Sequence, residues 1–210
     1  MTKITFYTNP MSRGQIARWA LHEAGADYDE VLLAYGEEMK SADYLQLNPM
    51  GKVPAIVHEG NVVTEAAAIC MYLAEAFPDA RLAPRSLAHR AAYLRWTFFA
   101  AGPLEQAVVN KSMGWSAADD PQVQGRLGYG NYDRTIQTLV GHFEANDYVC
   151  GDLFTAADIY VGAHVDWGLQ FGTVEAAPAL NAYADRLRAR EAYKAAKSID
   201  GAHIAKMRPA

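Results

Sequence analysis

A chain of 210 residues with 51% hydrophobic and 20% charged side chains can bury a sizeable core and is too apolar to be a disordered or fibrous protein. Its net charge of −5 and pI near 5.7, with no basic stripe anywhere, exclude nucleic acid as the expected partner. The opening MTKITFYTNP lacks the apolar run of a signal peptide, and no stretch of about 18 apolar residues suggests a membrane span, so a cytoplasmic protein is expected. In chain order, residues 4–7 (ITFY) read as a short buried strand ending at the turn TNPMS. Ser12 is placed as N-cap of a helix reaching Ala24, with Ile16, Ala17, Ala20 and Leu21 at helical spacing and Gly25 as its stop. DEVLL gives a second strand, SADYLQLN a second short helix, VPAIVHEGNVVT two strands about the turn EGN, and EAAAICMYLAEAF a third helix closed by Pro78.

Residues 1–80 carry 5 Lys+Arg against 11 Asp+Glu, whereas residues 81–210 carry 14 against 13. That shift, with the two prolines of PDARLAPRS as a linker, divides the chain into a domain at 1–80 and another at 86–210. The first reads β-α-β-α-β-β-α, an α/β unit whose strands are too apolar to face water. The second shows only helical periodicity, in SLAHRAAYLRWTFFAAGPLEQAVVNKSMGW, VQGRLGYGNYDRTIQTLVGHFEAN, AADIYVGAHVDWGLQF and PALNAYADRLRAREAYKAAK, and is expected to be an all-helical bundle. Within it, FTAADI places Thr155 as N-cap, Asp158 to return the hydrogen bond and Phe154 to staple on Ile159, a structural box with no chemistry assigned. Cys70 and Cys150 lie far apart in apolar settings, as reduced structural thiols do, and the six histidines show no metal-ligand spacing. NPMGKVPAIV poses the remaining question: Pro54 has no N–H for a sheet, so it marks a strand edge or a backbone kept for something else.

This order of elements, together with MSRGQIARWALHEAG after the first strand, NPMGKVPAIV before the third and VVTEAAAICMYLAE entering the third helix, resembles the cytosolic glutathione transferases, in particular their serine-using members. The resemblance implies a thioredoxin-like first domain that binds glutathione as co-substrate and a helical second domain that supplies most of the electrophile's wall and dimer contacts. It further implies a cis bond before Pro54, which turns the N–H and C=O of Val53 outward to pair with the tripeptide as one more piece of strand.

A free thiol has a pKa near 8.5 and only its thiolate attacks electrophiles well. Ser12, at the start of the first helix, is expected to donate its hydroxyl to sulfur; with the helix terminus this supplies about two pKa units, or roughly 2.7 kcal/mol. Asn9, Thr8 and Arg13 also lie within reach of a thiolate. Arg13 stands where cysteine-using members carry cysteine, which disfavours mixed-disulfide chemistry. By the same resemblance Glu65 pairs with the ligand's ammonium, and Ala66 stands where a serine hydroxyl usually holds its γ-glutamyl carboxylate. That absence is expected to weaken binding by about 1.5 to 3 kcal/mol, with the Ala66 N–H remaining as a donor. Lys52 and Lys40 are candidates for the glycyl carboxylate. The electrophile is placed between Met11 and Val108, Met113 and Trp115, where Pro103 is expected to kink the long helix. The function implied is conjugation of glutathione to small electrophiles, a detoxification chemistry carried out by a homodimer. Glutathione-dependent peroxidase or disulfide reductase activity, or a binding protein that has lost catalysis, are the alternatives.

Overall fold

The structure, a computed structural model, describes residues 3–115 and 119–207. The chain forms two compact units: one runs as far as Ala83 and takes in the segment from Ala189 onward, and the other spans Pro84–Arg188.

In the first unit four strands, β1 (Ile4–Thr8), β2 (Tyr28–Leu32), β3 (Ala55–His58) and β4 (Asn61–Thr64), form a mixed sheet in the order β2-β1-β3-β4. β1 runs parallel to β2 and antiparallel to β3, and β3 and β4 form a hairpin whose turn residues Glu59 and Gly60 both have positive φ. Alternation along β1 sends Ile4, Phe6 and Thr8 to one face, all fully buried, and Tyr7 to the other. On the first face pack α1 (Gly14–Ala24), through Ile16, Ala17, Ala20 and Leu21, and α3 (Ala66–Ala76), through Ile69, Cys70 and Leu73. Each large side chain buried there contributes about 1.5–3 kcal/mol. On the other face Met39, Tyr44 of α2 (Ala42–Leu47) and Ala55 form a small cluster with Tyr7, Leu33, Leu47 and Val53. Ser41 caps α2, accepting from the Tyr44 N–H.

The C-terminal helix α10 (Glu191–Met207) also belongs to this unit, lying along α1, so the expected 86–210 boundary is corrected at its far end. The reason is a seam of charge. Arg18 is 1% exposed, yet its guanidinium meets Asp200, Glu30 and the Tyr28 hydroxyl. Arg190 grips Glu23 with two bonds of 2.6 and 2.8 Å, and His203 meets Glu30 at 2.8 Å. Leaving α10 elsewhere would strand a buried cation, which is strongly destabilising.

The second unit is all helical among its described residues: α4 (Leu87–Phe99), α5 (Glu105–Ser112), α6 (Pro121–Arg126), α7 (Tyr132–Phe143), α8 (Ala156–Phe171) and α9 (Pro178–Arg188). Two expected continuous helices are broken. Between α4 and α5 the backbone takes a π turn over Ala100–Leu104, because Pro103 cannot donate the N–H that an α-helix needs there. Between α6 and α7 the chain leaves the helix after Arg126, and Asn131 caps a new one by accepting from the Arg134 N–H. The Thr155–Asp158 capping box forms as expected. Phe154 meets the ring of Tyr148, edge to face at 5.7 Å.

Candidate functional site

The sheet register aligns the sites read from the sequence. Tyr7 pairs with Ala55, and Ala55 with Thr64. Three connections therefore leave one end of the sheet side by side: the turn after β1 that bears Ser12, the Val53–Pro54 segment before β3, and the Glu65–Ala66 entry to α3. With strands about 4.8 Å apart, they fall within two strand spacings, about 10 Å.

The turn at residues 9–12 is closed by hydrogen bonds. Ser12 donates its N–H (3.1 Å) and its hydroxyl (2.7 Å) to the Asn9 carbonyl, and Ser12 Oγ accepts from the Gly14 N–H at 2.9 Å. This corrects the expected cap. The helix begins two residues later than Ser12, with Arg13 in helical geometry at the N-cap, although Ser12 Oγ still satisfies one of its first N–H groups. Asn9 is buried and committed at both ends: its amide donates to Leu33 O at 2.8 Å and accepts from the Met11 N–H at 2.9 Å. It is therefore a brace for the turn and a poor candidate for sulfur. Thr8 Oγ1 is fully buried and has no hydrogen-bond partner among the described residues. It presses on Gly14, where a Cβ would lie 1.9 Å from it, so only glycine fits that position. Met11 is exposed, and its carbonyl accepts from the Tyr35 hydroxyl at 3.1 Å.

The Val53–Pro54 bond is cis, as the resemblance implies. Val53 stands outside the strands, and among the described residues none is hydrogen-bonded to its N–H or C=O. The neighbouring carbonyl is treated differently: Lys52 O accepts from the Tyr44 hydroxyl at 2.6 Å and from the Asn48 amide at 2.7 Å. Burial pushes the Tyr44 hydroxyl up to about 12, so it stays a proton donor. The Lys52 side chain is exposed. Lys40 is more constrained than expected, since Nζ donates to Met50 O at 2.9 Å and Gly51 O at 3.0 Å. Two of its three protons pin the loop that leads to Val53, and one is left for a ligand.

Glu65 precedes α3 with φ 68° and ψ 120°, outside the regions open to an ordinary side chain, a conformation that costs on the order of 1–3 kcal/mol. Its carboxylate is exposed and caps nothing, so the first N–H groups of α3 are left without a side-chain cap. Ala66 is buried at the helix start. The expected electrophile residues other than Met11 belong to the second unit: Val108 is half-buried on α5, while Met113 and Trp115 are exposed just beyond it. Neither thiol is poised to react, because burial pushes Cys70 up to about 12 and Cys150 up to about 11. Unforeseen from the sequence are Tyr44, Asn48 and Gln15, each of which donates to a backbone carbonyl of the site. Nothing in a single sequence distinguishes such residues from surface amides and core aromatics.

The family model of the glutathione S-transferase N-terminal domain matches residues 2–75, and that of the C-terminal domain matches residues 130–191. The chain is 31% identical to glutathione S-transferase GST-4.5 of Xanthomonas campestris, over 82% of this chain and 87% of that protein. It is 30% identical to maleylacetoacetate isomerase of Pseudomonas aeruginosa, over 93% and 95%. The crystal structure of a sphingomonad glutathione S-transferase complexed with glutathione superposes with a TM-score of 0.75 at 28% identity, over 94% of this chain and 98% of that one. The two domain matches, and relatives aligned along most of their length, carry one conclusion: this chain belongs to the glutathione S-transferase family.

Proposed function

We propose that the protein activates glutathione and transfers its thiolate to small electrophiles, with Ser12 as the donor to sulfur. The observation that carries this reading is Val53, whose N–H and C=O have no partner among the described residues and stand beside the Ser12 turn at the open end of the sheet. An extended peptide adds to such a backbone by two hydrogen bonds, and the peptide unit of a cysteinyl residue has both the N–H and the C=O required. The same placement brings the ligand's other groups to fitting partners. A carboxylate meets the uncapped N–H groups of α3, an ammonium meets Glu65, and the far carboxylate meets Lys52 and the remaining proton of Lys40. The Ser12 hydroxyl and the N-terminus of α1 then lower the thiol pKa, and the thiolate displaces a leaving group from the electrophile or adds to it. Met11, exposed on the same turn as Ser12, adjoins the electrophile in this reading. The working form is a homodimer, a reading supported by the exposed stripe Leu87, Leu94 and Phe98 along one face of α4.

A second reading keeps the thiolate but transfers nothing. The Pseudomonas aeruginosa relative is named an isomerase, and a thiolate that adds to a conjugated double bond and is then expelled isomerises it. Reduction through a protein thiol is disfavoured by Arg13 at the position in question and by the two buried cysteines. The deciding experiment combines titration calorimetry with glutathione and turnover of an activated aryl halide. Heat of binding with a stoichiometry of one per chain, together with conjugate formation, is expected. No heat at millimolar glutathione overturns the proposal, and binding with isomerisation of a cis-enone but no conjugate selects the second reading.

A further inference from the structure

The turn that carries Ser12 is also held by a side chain with no part in the chemistry above. Gln15 Nε2 donates to the Pro10 carbonyl at 2.5 Å, and Gln15 Oε1 accepts from Lys197 Nζ at 2.6 Å. An ammonium can only donate, so Lys197 fixes which end of the amide faces it and directs the NH2 group onto Pro10. Gln15 sits on the first turn of α1 and Lys197 on α10, 182 residues along the chain. Lys197 is itself set in the seam between the two helices. One turn before it Tyr193 meets Trp19 edge to face at 5.1 Å, and three residues after it Asp200 takes Arg18 Nε at 2.9 Å in a buried pair.

Every carbonyl of the turn thus has a donor: Asn9 O takes Ser12, Pro10 O takes Gln15, Met11 O takes Tyr35, and Ser12 O takes the Gln15 N–H. Gln15 bonds the turn twice, by backbone and by side chain. Removing its amide from Pro10 frees the peptide plane immediately before Met11, and with it the direction in which the Ser12 hydroxyl points.

We infer that Gln15 and Lys197 are positioning residues for the Ser12 hydroxyl, so that the C-terminal helix sets the geometry of the thiolate site. The inference rests on the reading of Ser12 as thiolate donor. Lys197 orients Gln15, Gln15 anchors Pro10, and the anchored turn aims Ser12. Displacements of about 1 Å in such a group cost up to about a hundredfold in rate, and loss of one anchor out of several is expected to cost about tenfold.

Gln15→Glu separates this role from plain packing. It keeps an oxygen for Lys197, and so the contact between α1 and α10, but sets an oxygen against the Pro10 carbonyl where an N–H donor stood. Lys197→Met removes the orienting charge, and Lys197→Arg restores it. The first two variants are expected to lower kcat with an aryl halide about tenfold. They should also raise the thiol pKa of bound glutathione by about half a unit, at unchanged KM for glutathione and unchanged Tm, with Lys197→Arg recovering most of the rate. Wild-type rate and thiol titration in Gln15→Glu, or a loss confined to KM or tracking Tm, overturns the inference. Hydrogen exchange gives a measure that needs no glutathione. The Met11 and Ser12 amides both donate within the turn, and their exchange should quicken about tenfold in Gln15→Glu. Unchanged exchange overturns the inference even if the wild type ionises no glutathione, a result that on its own overturns only the proposed function.

Discussion

Replacing Ser12 by alanine probes the thiolate site most directly, because its Oγ already has two partners. The hydroxyl donates to Asn9 O at 2.7 Å and accepts from the Gly14 N–H at 2.9 Å. To serve a sulfur anion, the proton must leave the Asn9 carbonyl. What remains is the difference between a charge-assisted hydrogen bond, about 1.5–3 kcal/mol, and a neutral one, about 0.5–1.5 kcal/mol. That difference of about 1 to 1.5 kcal/mol is roughly one pKa unit, half of what the sequence alone led us to expect from hydroxyl and helix together. The other half falls to the backbone N–H groups and dipole at the start of α1. Ser12→Ala should therefore raise the thiol pKa of bound glutathione by about one unit, from about 6.5 to about 7.5, and cut the rate at neutral pH about threefold through the smaller thiolate fraction. It should also cost about 1 kcal/mol of folding stability, since the Gly14 N–H loses its acceptor. Ultraviolet absorbance of the thiolate, titrated on the saturated enzyme, reads the first effect, and urea unfolding reads the second. A titration identical to the wild type removes Ser12 from sulfur, and a rise of two units or more refutes the competition with Asn9.

Three other perturbations test separate parts of the structure. Ala66→Ser restores a hydroxyl at the N-terminus of α3 and should tighten glutathione binding by about 1.5 kcal/mol, roughly tenfold in Kd by calorimetry; no change would mean that the ligand carboxylate does not sit there. Asp158 is fully buried and accepts from the Val149 N–H, the Thr155 N–H and hydroxyl, and the Tyr183 hydroxyl, while burial pushes its carboxyl up to about 6. Because that lies above the unfolded value of about 3.9, the native state keeps a proton the unfolded chain releases, and this contribution to stability is lost as pH rises. Asp158→Asn cannot titrate, so the stability of the wild type relative to it should fall by roughly 2 kcal/mol between about pH 4 and about pH 7; a constant difference in urea unfolding refutes the shift. Cys70 and Cys150 should resist iodoacetamide at mildly alkaline pH until the protein unfolds, and rapid native labelling by mass spectrometry would reopen protein-thiol chemistry.

Much of the architecture was legible because local chemistry decides it. The short run ITFY, the alternation through AIVH and NVVT, and the capping box at Thr155 state their elements within a few residues. Of the three corners of the candidate site only Pro54 was marked by its residue type, a proline in an apolar strand, while Glu65 and the thiolate role of Ser12 came with the resemblance to the family. Their coming together was not legible locally, since it depends on the register Tyr7–Ala55–Thr64, which joins residues far apart in sequence. Pro103 announced a break in its helix, but not that the chain would continue through a π turn.

What stayed hidden is charge whose partner lies at the other end of the chain. Arg18, within a helix of otherwise apolar and polar residues, reads as a solvated cation, and Lys197 and Asp200 read as the wet face of the last helix. In the structure Arg18 and Asp200 are 1% exposed and paired, and Lys197 reaches the helix that follows the Ser12 turn. A buried ion pair contributes little net stability against an apolar replacement, but it strongly penalises any arrangement that separates it. Arg18 and Asp200 therefore act on specificity: they admit one seat for α10, the one that brings Lys197 to Gln15. Replacing both by apolar residues of similar size should leave the fold about as stable while loosening that seat, so that thiolate formation suffers more than Tm. A double variant that unfolds before its thiol titration changes would show that the pair supports the fold alone.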